Sequence, residues 1–217
     1  MFLHYINMQK FQPSDWAHWE RIYRANFINS LSGIKPAVLI GTCNRERQTN
    51  LALFSNVVHL GADPALIGLI NRPREATPHT LSNIEASGFF TINHIHPEML
   101  AQAHQTSAKY PADESEFEAT GLTAQWEPAV SAPYVKESRL KYGLSVKEII
   151  SLTINRTFLV IGQIEQVLLE DENIVQDDGF LDLQQLNTVA SSGLDAYYQV
   201  QQLGRLGYAR PPKANNS

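Results

Sequence analysis

Between Arg72 and Asn83 the chain reads Arg-Pro-Arg-Glu-Ala-Thr-Pro-His-Thr-Leu-Ser-Asn, and these residue types at this spacing suit the capture of an anion. Thr77 fits a helix N-cap. Pro78 fits the first helical position, because its missing N–H would be unpaired there anyway. The free N–H groups of a first turn point outward, and the helix dipole favours negative charge beside them. Arg72 and Arg74 lie within six residues of the cap, and Thr80 adds a hydroxyl, a set that suits a phosphate. The local pattern alone favours a plainer account, a capped surface helix with solvated arginines.

Other reactive residue types point to less. His94 and His96, with His104 further on, invite a metal, but the spacing lacks the carboxylate or thiolate set that zinc sites use. Satisfied or exposed histidines explain them, and no metal is expected. No Ser-His-Asp, Cys-His or paired-carboxylate constellation stands out. The dinucleotide fingerprint G-x-G-x-x-G is absent, so any nicotinamide would sit outside a Rossmann domain. The one cysteine, Cys43, lies in an apolar run and reads as a buried structural thiol in a reducing cytoplasm.

The elements that must position these groups are mostly strands. AVLIGTC (37–43), SNVVHL (55–60), ALIGLI (65–70) and FFTINHI (89–95) have strand length and composition. Ser151–Ile154 and Phe158–Leu169 add two more, the latter with a possible bend at Gly162. Leu122–Ser138 has the mixed signals of a hairpin. Trp16, Trp19, Ile22, Tyr23 and Phe27 recur at helical spacing, which predicts an amphipathic helix over about 15–30 whose aromatics pack on the core. Between Ile95 and Gly121 lies an excursion with a short helix from Pro97 and an acidic helical turn over Asp113–Ala119. Beyond Asn173 the chain reads as helix and loop, giving a helical tail over about 180–217. No internal repeat or linker divides the chain, so one domain over 1–217 is expected.

Four segments in this order carry a resemblance. Asn50–Ser55, Ala62–Ile67, His79–Ile84 and Phe89–Asn93 together resemble the flavin reductase-like family of FMN-binding split barrels, whose segments read N-x-A-P-x-S, D-P-P-hydrophobic, K-D-T-x-x-N-I and F-V-V-N. The likeness covers about residues 20 to 170. Leu53 replaces the usual first proline, Ala65 the second, and His79 stands where aspartate is common.

The resemblance implies a mainly β fold with peripheral helices, a β-barrel holding FMN. Thr49, Asn50, Leu51, Ala52, Ser55 and Asn56 would run beside the flavin ring. Arg72, Thr77, His79, Thr80 and Asn83 would surround the phosphate, and Ser107 and Lys109, in an excursion that family members often contribute from the partner subunit, would meet phosphate or substrate. The tail would fold over the pocket with Arg205 or Arg210 on a phosphate; a simple docked tail is the alternative. The implied activity is a flavin reductase that passes hydride from NADH or NADPH to the flavin, with the cofactor carrying the electrons and no side chain named as catalytic. A flavin-binding electron carrier, or a non-catalytic FMN-binding protein on the same barrel, is the alternative. A homodimer is implied, with an oxygenase as possible partner for reduced flavin.

Bulk properties agree with a soluble globular protein. With 217 residues, 43% of them hydrophobic and 18% charged, the chain is long and apolar enough for one substantial core. A net charge of −5 argues against nucleic-acid binding, which runs on excess Lys and Arg. No stretch approaches the ~20 apolar residues of a membrane helix. The first ten residues lack the pattern of a signal peptide.

Overall fold

The computed structural model describes residues 8–76, 78–111 and 113–211; the expected N-cap Thr77 lies outside the described residues. Twelve strands follow in chain order: β1 (Lys35–Pro36), β2 (Val38–Cys43), β3 (Thr49–Phe54), β4 (Val57–Ala62), β5 (Ala65–Asn71), β6 (Phe89–His94), β7 (Ala124–Glu127), β8 (Val130–Val135), β9 (Leu140–Leu152), β10 (Thr157–Leu169), β11 (Val189–Ser192) and β12 (Ala196–Gln199). The helices are α1 (Pro13–Trp16), α2 (Arg21–Ser30), α3 (Pro78–Ser87), α4 (Leu100–Gln105) and α5 (Glu116–Thr120).

Seven strands form one antiparallel sheet in the order β3-β2-β6-β9-β10-β5-β4. Its two edges, β3 and β4, are consecutive in the chain and joined only by Ser55 and Asn56. A link that short brings the edges back together, so the sheet curls into a barrel left split along that seam. Asn56 holds the link down, its carbonyl accepting from the Ile70 N–H at 2.9 Å. Two smaller sheets flank the barrel, the β7–β8 hairpin and the ribbon β1-β11-β12.

The inner strands are covered on both faces, which is why β2 (VLIGTC) is buried at every position and carries one polar side chain besides its cysteine, Thr42. One face, with Val38, Ile40, Phe90, Ile92, Leu144 and Val160, makes the barrel interior, and α3 closes it with Leu81 and Ile84. The other face, with Leu39, Leu51, Ile95 and Val135, packs on Met99, Ala103 and Phe117 from the excursion. The β7–β8 hairpin lies tight against this outer face. A side chain at Gly41 would stand 2.1 Å from the Pro133 carbonyl oxygen, so only glycine admits the approach. Thr91 donates its hydroxyl to that same oxygen at 2.6 Å. Asn93 bridges three strands, donating to the Leu39 carbonyl at 3.0 Å and accepting from the Val135 N–H at 2.8 Å. The buried ammonium of Lys141 completes the attachment through Gln125 and the carbonyls of Val135 and Lys136. Asn93, in the segment that resembles F-V-V-N, is thus a fastener of the fold.

Several expectations are corrected. The single N-terminal helix is two, broken at 17–20, and the break turns Trp19 onto Phe11, Tyr23 and Phe27 at ring separations of 4.9–5.8 Å. These aromatics pack on one another at the surface, not on the core, and α2 has no buried residue. Ser151 and Leu152 end β9, which begins far earlier at Leu140, while Thr153 and Ile154 form the turn into β10. The bend expected at Gly162 is a register shift against β9 between Ile161 and Gly162. No helix occupies the described part of the tail, 180–211. Val189–Ser192 and the aromatic run Ala196–Gln199 pair as strands around a turn that needs Gly193 at φ 64°.

Candidate functional site

A cavity of about 480 Å³ opens between β3, the start of α3, the excursion and the β11–β12 turn. Its size falls within the range of small-molecule sites. From β3 and its link it takes Asn50, Ala52, Leu53, Phe54, Ser55 and Asn56; from the helix start, Arg72, Pro78, His79 and Thr80; from the excursion, Ser107, Lys109 and Tyr110. Residues far apart in the chain therefore converge on one cavity.

The wall formed by β3 and α3 is fixed by a buried polar network. The Asn50 amide donates to the hydroxyls of Thr42 and Thr80, both at 3.2 Å, and the Asn83 amide donates to Thr42 at 3.3 Å. Thr42 comes from β2, so the network ties the first turn of α3 to the sheet and holds that helix end toward the cavity. Asn83 is a member of this network and does not line the cavity. Two further residues of the expected set also stand behind the wall. Leu51 is buried in the outer core, and its N–H is taken by the Glu116 carboxylate at 2.9 Å. Thr49 shares a 2.6 Å hydrogen bond with the Ser115 hydroxyl. Strand alternation explains Leu51: with Asn50 and Ala52 toward the cavity, the residue between must point to the opposite face.

The opposite wall is held more lightly. Glu116 and Ser115, at the start of α5, stitch the excursion to the free edge of β3 through the two bonds just named. Glu116 also lines the cavity, and burial pushes its carboxyl above the usual range, against the lowering pull of its hydrogen bond from Leu51 and of nearby His79. Tyr197 of β12 lines the cavity and shares a 2.7 Å hydrogen bond with His104 Nδ1, which joins the ribbon to α4. Burial, then the charge of Asp195, raises the Tyr197 phenol. Asn29, Glu116, Gly193, Leu194 and Tyr197 also line it. Sequence reading missed them all, since each belongs to an element whose position only the fold determines.

Arg205 and Arg210 do not line the cavity. Arg205 is occupied elsewhere, donating to Gln176 at 2.7 Å and Asp178 at 2.5 Å while its guanidinium lies 4.3 Å from the Phe180 ring centroid. Arg210 is exposed. Arg74, too, is engaged by Glu85 of α3, leaving Arg72 as the arginine in the cavity wall.

The three histidines have separate partners: His96 bonds Glu98 at 2.5 Å, His104 bonds Tyr197, and His94 packs against Tyr142 with ring centroids 6.1 Å apart. Burial pushes the His94 imidazole down to about 4. Among the described residues no group of three His, Cys, Asp or Glu could hold a metal ion. Cys43 is buried, with its thiol donating to the Ser131 carbonyl at 3.3 Å, and burial raises its pKa. Among the described residues no helix is long and apolar enough to cross a membrane.

The curled antiparallel sheet and the cavity at its seam define a class. Residues 31–183 match the model of the flavin reductase like domain. The chain belongs to the flavin reductase-like family, and its fold is the split barrel of that family. The structure superposes on a Shewanella frigidimarina protein assigned as a flavin reductase with a split-barrel domain, at TM-score 0.89 and 52% identity, covering 93% of this chain and 100% of that one. Nitrilotriacetate monooxygenase component B from Bacillus cereus shares the fold at TM-score 0.80 and 20% identity, over 92% of this chain and 98% of that one. An uncharacterized protein of Halalkalibacterium halodurans is 30% identical over 120 residues, 54% of this chain and 57% of that relative, so the match spans little more than half of it.

Proposed function

We propose that this protein is an FMN-dependent NAD(P)H:flavin oxidoreductase acting in the cytoplasm. The observation that carries the reading is the cavity, where the first turn of α3 and Arg72 meet the Asn50–Asn56 segment of β3 and its link. The donors present fit FMN. The outward N–H groups of the α3 turn, the Thr80 hydroxyl and the Arg72 guanidinium suit a phosphate. Ala52 leaves the β3 main chain open to a flat ring, and Leu53 and Phe54 add apolar surface. When bound, FMN supplies the electron chemistry, accepting hydride from NADH or NADPH.

The chain's own contribution is binding and orientation. Asn50 and Thr42 hold Thr80 in place, and the stitched excursion brings Ser107, Lys109 and Tyr110 to the cavity mouth. Lys109 adds a positive charge for a second phosphate-bearing ligand such as the nicotinamide cofactor. No side chain need move a proton for hydride to pass between two cofactors, so none is assigned as catalytic. A one-sided cavity on a barrel surface buries a flavin poorly, and a second copy of the chain would complete it, giving a C2 homodimer. Reduced flavin would then serve an acceptor such as a partner oxygenase.

The test is direct. The purified protein should be yellow, or become so with FMN, and should bleach anaerobically on addition of NADH or NADPH. Continued turnover with added free flavin marks a reductase, and bleaching limited to the bound flavin marks an electron carrier. Colourless protein that takes up no FMN at micromolar concentration overturns the reading.

A further inference from the structure

Two carboxylates line the cavity, and they differ in how they are held. Glu75 is exposed and pairs with Arg156 at 3.7 Å. Glu116 is half-buried and, among the described residues, forms no ion pair. Its place is fixed from three sides. The carboxylate accepts the Leu51 N–H at 2.9 Å, the preceding Ser115 shares its hydrogen bond with Thr49, and the following Phe117 is buried in the outer core. Capping that N–H does not call for a charge, since a neutral amide oxygen would do so without a carboxylate to desolvate. Burial without a cationic partner pushes the carboxyl upward. A carboxylate kept in a cleft at that cost is a candidate for contact with a ligand.

The level of Glu116 in the cavity identifies the ligand group it would meet. β3 is an edge strand, and its Leu51 N–H points outward to the carboxylate. Asn50, one residue earlier, holds Thr80 at the corner that suits a phosphate. Ala52, one residue later, opens the surface that suits a flat ring. His79 at the start of α3 lies close enough to pull the Glu116 carboxyl downward. The carboxylate therefore stands between the phosphate corner and the ring surface. In FMN those two parts are joined by the ribityl chain, a polyol with hydroxyl donors. A carboxylate only accepts hydrogen bonds, so it matches hydroxyls and is mismatched to phosphate oxygens.

We propose that Glu116 determines which flavins the cavity holds, its carboxylate accepting hydrogen bonds from the ribityl hydroxyls. The inference rests on the flavin reading of the cavity and names the part of the ligand that the excursion recognises.

Fluorescence-quenching titrations of the flavin-free full chain, of Glu116→Gln and of Ser115→Ala test it, with riboflavin, lumiflavin and FMN as ligands. Riboflavin carries the ribityl chain without phosphate, and lumiflavin is the ring alone. Glu116→Gln keeps an acceptor for the Leu51 N–H but gives up the charge, and a charged acceptor holds a hydroxyl about twice as strongly as a neutral one. Its Kd for riboflavin should rise at least ~5-fold, while its Kd for lumiflavin stays within about twofold. FMN should lose less than riboflavin, because the substitution also removes a negative charge beside the phosphate. Ser115→Ala cuts the neighbouring stitch and should leave the ratio of riboflavin to lumiflavin affinity unchanged. Riboflavin affinity unchanged in Glu116→Gln, lumiflavin affinity falling with it, or the same loss of riboflavin in Ser115→Ala overturns the contact and leaves the flavin cavity standing. Lumiflavin that binds neither the full chain nor a variant, while riboflavin binds and weakens in Glu116→Gln alone, supports the contact. A chain that takes up none of the three flavins overturns both readings.

Discussion

The two walls of the cavity are built on different principles. The wall of β3 and α3 is secured from behind, where Thr42, Asn50, Thr80 and Asn83 exchange hydrogen bonds out of water. The wall of the excursion and the β11–β12 ribbon is secured at its margins, by the Glu116–Leu51 stitch and the His104–Tyr197 bond, the latter exposed. Buried hydrogen bonds are costly to break because the groups left behind lose water as well as partner. Exposed ones are replaced by solvent. The first wall is therefore a template, and the second is free to adapt to what arrives.

Substitutions can break this contrast or sharpen it. The largest effect should come from Thr42→Val, which removes the acceptor used by both buried amides. Unfolding free energy should fall by about 2–3 kcal/mol, read from urea transitions, and a loss below about 0.5 kcal/mol would mean the wall is not held this way. Next, Arg72→Ala combined with Thr80→Ala should weaken FMN binding by more than tenfold, ~1.4 kcal/mol, in a fluorescence-quenching titration. Unchanged affinity would put the phosphate elsewhere.

The stitch predicts a pH effect. The Glu116 carboxyl is raised in the folded chain by burial. As pH climbs from its ordinary 4.5 toward that raised value, the unfolded chain loses this proton first and the folded state loses stability. Glu116→Gln keeps an acceptor for the Leu51 N–H and removes the titration. The stability of the variant relative to the original should therefore grow as pH rises through that window. A flat or falling difference, measured by denaturation between pH 4 and 7, would refute the assignment. The smallest effect belongs to Tyr197→Phe, which gives up one exposed hydrogen bond. Stability should change by less than about 1 kcal/mol, and a loss matching that of Thr42→Val would make the two walls equivalent.

The template wall was legible in the sequence and the adaptable one was not. Asn50, Thr80 and Asn83 sit in short segments whose order carries the family resemblance, and β2, β5 and β6 are apolar runs bounded by turns. By contrast, β9 hides behind Lys141, Gly143, Ser145, Lys147 and Glu148. Gly143 makes room for Tyr134, and several of the polar residues face water, so no apolar run announces the strand. Residues 189–199 read as helix because the Ala-Tyr-Tyr-Gln-Val stretch is ambiguous in isolation. It is the partner β1, over 150 residues earlier, that selects a strand. Asn29, Glu116 and Tyr197 carry no local sign of a cavity, since what makes them neighbours is the closure of the barrel. Arg205 looked like a phosphate ligand because its partner Asp178, 27 residues upstream, could not be anticipated.

The glycine at position 41 and the hydroxyl network behind β3 have a kinetic corollary. Folding itself sets the shape of the template wall, so an incoming molecule has no segment to order there before it can settle. Capture should then run at the pace of encounter. Residence time would depend instead on how firmly the excursion and ribbon close against the guest, which makes those two margins the natural place to tune how long it stays.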